Sequence, residues 1–179
     1  MYSAALNLKT TPDALQYMLH DKNIALYKQH GVFSKLELQS RYEIGLENYC
    51  KLCNIEVVTM YKLVKKSILY AATAFAGELS EAATAKNTFL PDADRTYERD
   101  TVKRVSELSG RTHKVVTVLF DRLCDAEDKN DILEKALYYK NTVLPKMGEL
   151  RELVDELELL VSRKHWPFPT YGDLLFSVR

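Results

Sequence analysis

Two groups of side chains in this 179-residue sequence have types and spacing that could do chemistry. Cys50-Lys51-Leu52-Cys53 is a C-x-x-C match. As a redox motif it would need a strand before it and a helix N-terminus at the first thiol, because the helix end lowers the thiol pKa. As half of a structural zinc site it would need two further ligands, and only Cys124 and scattered histidines remain. The pair instead falls inside a helical pattern, on its apolar stripe, where free cysteine behaves as a small hydrophobe. The second group is Arg41, Tyr42, Glu43, Glu47 and Asn48. Glu43 and Glu47 are one helical turn apart and share a face, an arrangement that can hold a metal or divide acid and base roles. The same spacing also describes a solvated face or a polar surface turned toward a neighbouring domain, and this plainer reading is the one adopted. None of His20, His30, His113 and His165 follows a Glu by three positions, so the Glu-x-x-His pairs of a di-iron bundle are missing. The sequence has no Gly-rich phosphate loop, no serine-nucleophile motif and no His-Glu-x-x-His.

The elements that would position these groups are helices. Thr11-Pro12-Asp13 is a helix start, since Pro suits the first turn, and a second short helix stops at Gly31, which tolerates the left-handed conformation. Ser34-Lys35-Leu36-Glu37 is a capping box flanked by Phe33 and Leu38 at staple positions. From Ser34 to about Lys86 only Gly45 and Gly77 weaken the pattern, at about 1 kcal/mol each. Leu46, Cys50, Cys53, Val57, Met60, Val64, Ile68, Ala71, Phe75, Leu79 and Ala82 recur on one face, with a bend or break expected near Asn54. Leu90-Pro91-Asp92 forces a turn. A helix from about Thr96 to Ala126 follows, its stripe Val102, Val105, Leu108, Thr112, Val115, Leu119, Leu123 and Ala126. Asn130 or Asp131 caps a third long helix running to about Val161, with Leu133, Leu137, Leu144, Met147, Leu150, Val154, Leu157 and Val161 inward and a kink at Pro145. Short turns make successive helices alternate in direction. The fold expected is all-α: residues 1–33 a lead-in with short helices, 34–161 an antiparallel bundle of three long helices, and 162–179 a non-helical aromatic and Pro-rich tail. That tail carries Trp166, Phe168, Tyr171 and Phe176. At about 25 cal/mol per Å² each aromatic contributes several kcal/mol when buried, so the tail is expected to dock on this bundle or on a neighbour.

Charge excludes some partners. The 25 basic residues balance the 25 acidic ones, without the basic excess by which nucleic-acid binders neutralise phosphate. No run of about 18 apolar residues spans a membrane, and no basic region followed by an apolar core opens the chain as an export signal. Three cysteines do not make a disulfide framework. No nucleic acid, no membrane and a cytoplasmic location are the expectations.

Function enters through a resemblance. Arg41-Tyr42-Glu43-Ile44, then Leu46-Glu47-Asn48-Tyr49 and Asn54-Ile55-Glu56 with Thr59-Met60, resemble the start of the long helix in the C-terminal region of type III glutamine synthetases. Lys22-Asn23-Ile24, Leu26 and His30-Gly31-Val32-Phe33 are similar to that family's approach to the helix. Val143-Leu144-Pro145 with Met147, Leu150-Arg151, Asp155-Glu156-Leu157-Glu158 and the closing run from Trp166 to Phe176 match near the other end, while the stretch between about Ala82 and Lys129 offers only helix and turn. The resemblance implies an intact enzyme that ligates ammonia to glutamate with ATP and magnesium or manganese, through a γ-glutamyl phosphate, in a double-ringed dodecamer. It places the catalytic barrel before Met1, so no catalytic, cofactor-binding or metal-binding residue carries over. It implies the catalytic domain in cis and sister subunits as partners, with Arg41, Tyr42, Glu43, Glu47, Asn48, Trp166, Phe168, Tyr171 and Phe176 as candidate contacts. Two other readings are a free-standing helical interaction module and a small enzyme using Glu43 and Glu47.

Overall fold

The computed structural model describes residues 8–169 and 171–176, and for residues 171 and 172 the backbone alone. Among the described residues there is helix and turn and no strand. Two short helices come first, α1 (Thr11–Met18) and α2 (Asp21–Gln29). Gly31 ends this region at φ +63°, the left-handed conformation that only a residue without Cβ adopts cheaply. The capping box then forms: the Glu37 N–H donates to Ser34 Oγ at 3.2 Å, and the Ser34 N–H donates to Glu37 Oε2 at 2.7 Å. It starts α3 (Lys35–Leu63), which a π segment, Val64–Ile68, joins to α4 (Leu69–Phe89).

The break expected near Asn54 is not there. A mid-helix Asn weakens a helix when its amide competes for the backbone, and the Asn54 amide is occupied by Glu127 at 3.1 Å. The irregularity lies a few turns on, at Val64–Ile68, where the Leu69 N–H reaches back five residues to the Val64 carbonyl. Nothing in the sequence marks that site.

After the turn at Leu90, α5 runs Thr96–Glu127, with Asp94 accepting the Thr96 N–H at 2.9 Å. Asp131 caps α6 (Ile132–Tyr138) by accepting the Glu134 N–H at 2.7 Å. A second π segment, Tyr139–Val143, leads into α7 (Leu144–Leu160). Pro145 has no N–H, and its ring crowds the carbonyl four residues back. The chain meets this by opening a wide turn just before the proline, where the expectation was a kink at it. The segment after Pro169 is not wholly irregular either: Tyr171–Leu175 forms one helical turn, α8.

The chain makes two compact units. The first holds the chain up to Val57 and Asp121–Pro145; the second holds Val58–Phe120 and the chain from Lys146 on. In the first unit, Leu38, Leu46, Cys50, Cys53 and Val57 of α3 pack in one core with Leu123, Ala126, Ala136, Tyr139 and Val143. There α1 is fastened by the Lys140 ammonium on Asp13, at 2.6 Å. It lies so close to α3 that a Cβ on Gly45 would stand 2.9 Å from Leu15 Cδ1. The second core gathers Val64, Ile68, Ala71 and Phe75 with Val105, Leu108, Thr112, Val116, Leu119, Leu150, Leu153 and Leu157. All three stripes differ from expectation. Ala82 of the first is exposed, and Val116 takes the place of Val115 in the second. In the third, Leu153 is buried in place of Val154, and Ala136, Tyr139 and Val143 are buried where Leu133, Leu137 and Leu144 were expected, these three being half-buried. No helix of the described residues is long and apolar enough to cross a membrane.

Candidate functional site

The first unit carries an open groove of about 540 Å³ lined by Glu47, Cys50, Lys51, Asn54 and Ile55 of α3, Glu127 at the end of α5, and Ile132 and Lys135 of α6. Glu127 is its centre. Its Oε1 accepts the Tyr139 hydroxyl at 2.8 Å and the Asn54 amide at 3.1 Å, and its Oε2 accepts the Lys135 ammonium at 2.8 Å. The bond from Lys135, with smaller contributions from Tyr139 and Asn54, holds the Glu127 carboxyl below the usual glutamate range despite partial burial. Tyr139 is fully buried, so its phenol stays neutral: burial and the bond to Glu127 push its pKa up. A carboxylate held by three donors from three elements is a structural anchor.

The thiols beside it are inert as nucleophiles. Cys50 and Cys53 are 4% and 5% exposed. Burial pushes the Cys50 thiol up to about 11 and raises that of Cys53, so both are protonated at neutral pH, whereas a reactive or metal-binding cysteine is a thiolate. Cys124, on α5, is exposed.

The polar cluster expected on α3 does not converge. The Arg41 guanidinium lies 4.4 Å over the Phe33 ring. Tyr42 is half-buried, its pKa raised by burial and by the charges of Asp131 and Glu43. Glu43 accepts the Gln39 amide at 3.2 Å, and Glu47 accepts the Lys51 ammonium at 3.1 Å on the rim of the groove. Asn48 is exposed. At about 100° per residue, Arg41 and Asn48 share one flank of the helix, Glu43 and Glu47 another.

The tail residues lie in the second unit. His165 is clasped there: its Nε2 is 2.9 Å from Glu78 Oε2, its Nδ1 is 2.9 Å from Ser162 Oγ, and its ring sits 5.7 Å from Phe75. Lys164 joins Glu78 at 3.1 Å and, as the largest cause, lowers that carboxyl's pKa. Trp166 is 9% exposed and meets Phe168, half-buried, edge to face at 6.2 Å. Phe176 is 85% exposed. The Tyr171 side chain lies outside the described residues. Sequence reasoning missed Tyr139, Glu127 and Lys135. Tyr139 pairs with residues 12 and 85 positions away, and no local pattern encodes such partners.

Comparison with known proteins supplies what the geometry alone does not. Residues 4–87 match the family model described as the glutamine synthetase C-terminal domain. A glutamine synthetase of Butyrivibrio fibrisolvens is 39% identical over 173 residues, 97% of this chain and 25% of that protein. A type-3 glutamine synthetase of Dictyostelium discoideum is 30% identical over 95% of this chain and 24% of its own length. A glutamine synthetase of Bacteroides fragilis (strain YCH46) is 27% identical over 96% of the chain and 24% of its own length. The chain thus spans about a quarter of the length of the curated relatives it matches. A helical chain that such relatives match almost end to end belongs to the family of glutamine synthetase C-terminal regions.

Proposed function

We propose that this chain is the structural and assembly domain at the C-terminus of a type III glutamine synthetase, an enzyme of glutamine biosynthesis that ligates ammonia to glutamate with ATP. One observation carries the reading: relatives named glutamine synthetase, one of them type-3, match 95–97% of this chain but only about a quarter of their own length. The catalytic domain in cis and sister subunits are then its partners, in the cytoplasm, and neither nucleic acid nor a membrane is among them. The three helical runs, joined by short turns at 90–95 and 128–131, are read as antiparallel neighbours, since so short a turn reverses direction.

The carboxylates weighed in the sequence as metal ligands already have partners. Glu43 is bound to Gln39, Glu47 to Lys51, and Glu127 to three donors. Among the described residues no three His, Cys, Asp or Glu stand close enough to hold an ion. In this reading ATP and magnesium or manganese belong to the part of the enzyme outside this chain. Titration calorimetry of the 179 residues with ATP and magnesium, beside a γ-glutamyl transfer assay, tests it. The expected result is no saturable heat and no product; saturable binding in the micromolar range or turnover overturns it.

A further inference from the structure

The 25 basic and 25 acidic residues balance over the whole chain but not within it. In the second unit, residues 58–77 and 108–120 carry Lys62, Lys65, Lys66, Arg111, His113 and Lys114 and neither Asp nor Glu. The two stretches meet in the fold. The Tyr61 ring packs on that of Phe120 with centroids 4.6 Å apart, and Lys65 Nζ lies 3.0 Å from His113 Nδ1. The first contact joins the end of α3 to α5, and the second joins the π segment Val64–Ile68 to α5.

This lysine contact is unlike others that cross between elements. Lys135 reaches Glu127, Lys140 reaches Asp13 and Lys164 reaches Glu78, so each ammonium ends on a carboxylate. Lys65 ends on an imidazole, and among the described residues no carboxylate pairs with Lys62, Lys65 or Lys66. An ammonium only donates. His113 Nδ1 therefore accepts, and the N–H of that ring is at Nε2. Lys62, Lys66 and His113 are exposed and Lys65 is half-buried. Lys62 stands three residues before Lys65 and four before Lys66, which puts each about 5–6 Å from it, Cβ to Cβ. Like charges so placed weaken a helix, a cost that a bound anion would remove. Lys65 and Lys66 also belong to the π segment, and such wide turns are rare and concentrate at functional sites.

The side chains gathered here are N–H donors, three of them charged, and their missing partner is an anion of more than one charge. Ammonium groups act as point charges that suit phosphoryl oxygens, whereas a planar carboxylate is matched by a guanidinium fork. The nearby guanidinium, Arg111, starts about 160° around α5 from His113. We propose that Lys62, Lys65, Lys66 and His113 bind a diphosphate group, free or carried on a larger molecule. The inference does not rest on the family reading. Exposed charges are screened by water and salt, so the dissociation constant should be on the order of 1 mM, far above the micromolar range in which nucleotide binding is judged above.

Titrating the isotope-labelled full chain with inorganic pyrophosphate at constant ionic strength, followed by NMR, tests it. The His113 ring and the amides from Lys62 to Lys66 should shift and reach half-saturation at about 1 mM, and the melting midpoint should rise with pyrophosphate. Lys62→Gln combined with Lys66→Gln should weaken binding about fivefold or more. Lys22→Gln, at an exposed lysine of the first unit, should leave it unchanged. Both substituted lysines are exposed, so circular dichroism should show the helix kept. A second measurement uses the parent chain: pyrophosphate should slow acetylation of Lys62 and Lys66, read by mass spectrometry, and leave that of Lys22 as it was. ADP without magnesium separates the two sources. The same affinity as pyrophosphate means that the diphosphate alone is recognised, and tighter binding means that the carrier adds contacts. Shifts that never saturate, the same shifts with sulfate, binding that the double variant retains, or unprotected Lys62 and Lys66 overturn the proposal.

Discussion

The hydroxyl of fully buried Tyr139 donates to the Glu127 carboxylate at 2.8 Å. Tyr139→Phe keeps the ring and removes one bond to a charged acceptor. Such bonds are worth about 1.5–3 kcal/mol, reduced where the acceptor keeps other donors and reaches water. Chemical denaturation should show a loss of about 1–2 kcal/mol at pH 7. The charge on Glu127 adds a pH dependence of known sign. Its folded pKa lies below the ordinary glutamate value of 4.5, chiefly through Lys135. Its contribution is therefore present above pH 4.5 and lost as pH falls through the lowered folded value. The stability gap between the parent chain and Glu127→Gln should narrow from pH 7 to about pH 3, and a constant gap would mean the charge is immaterial. Trp166 gives a direct optical readout, because it is the chain's single tryptophan and is 9% exposed. Its emission should be blue-shifted and weakly quenched by acrylamide; emission like that of free tryptophan would contradict its burial. Legibility at this scale followed sequence distance. Ser34 with Glu37, and Asp131 as a cap, were readable because cap and target are three residues apart. Tyr139 was not, because a tyrosine is neither clearly core nor clearly surface until the partner of its hydroxyl is known.

Helix ends were legible because each is set by local chemistry: the Ser34 box, Gly31, the turn at Pro91 and the Asp131 cap. Ser34→Ala removes the acceptor of the Glu37 N–H and should cost about 1 kcal/mol; an unchanged melting midpoint would mean that water replaces the hydroxyl. The interior of α5 offers the opposite change. A Cβ at Gly110 would meet nothing within 4 Å, so Gly110→Ala should stabilise the chain by about 0.5–1 kcal/mol through helix propensity alone. The two π segments were not legible. Each inserts one residue into the helical count and turns the face that follows by about 100°. The stripe expected through Leu133, Leu137 and Leu144 misses the buried one, in which Ala136, Val143, Leu150 and Leu157 stay seven apart through Tyr139–Val143. Periodicity sums hydrophobicity and favours Leu over Ala and Tyr, whereas packing there selects Ala136, Tyr139 and Val143.

For the whole molecule, the helical class was readable from few Gly and Pro and long runs of period 3.6, while the division into two compact units was not, because α3, α5 and the helical run from Ile132 to Leu160 carry no break at the boundary that sequence could mark. Function was readable only by resemblance, since no side-chain set in the described residues converges on a substrate. The reading of the chain as one domain of a glutamine synthetase makes a claim about mass. Its relatives are about four times its length, and the chain alone weighs 20.6 kDa. An antibody raised against these 179 residues, used on extract of the cells that express them and resolved by both denaturing gel and native density gradient, tests the claim most directly. The account predicts a polypeptide about four times the mass of this chain, sedimenting as a large assembly together with glutamine synthetase activity. A polypeptide of the chain's own mass, sedimenting apart from that activity, would contradict it.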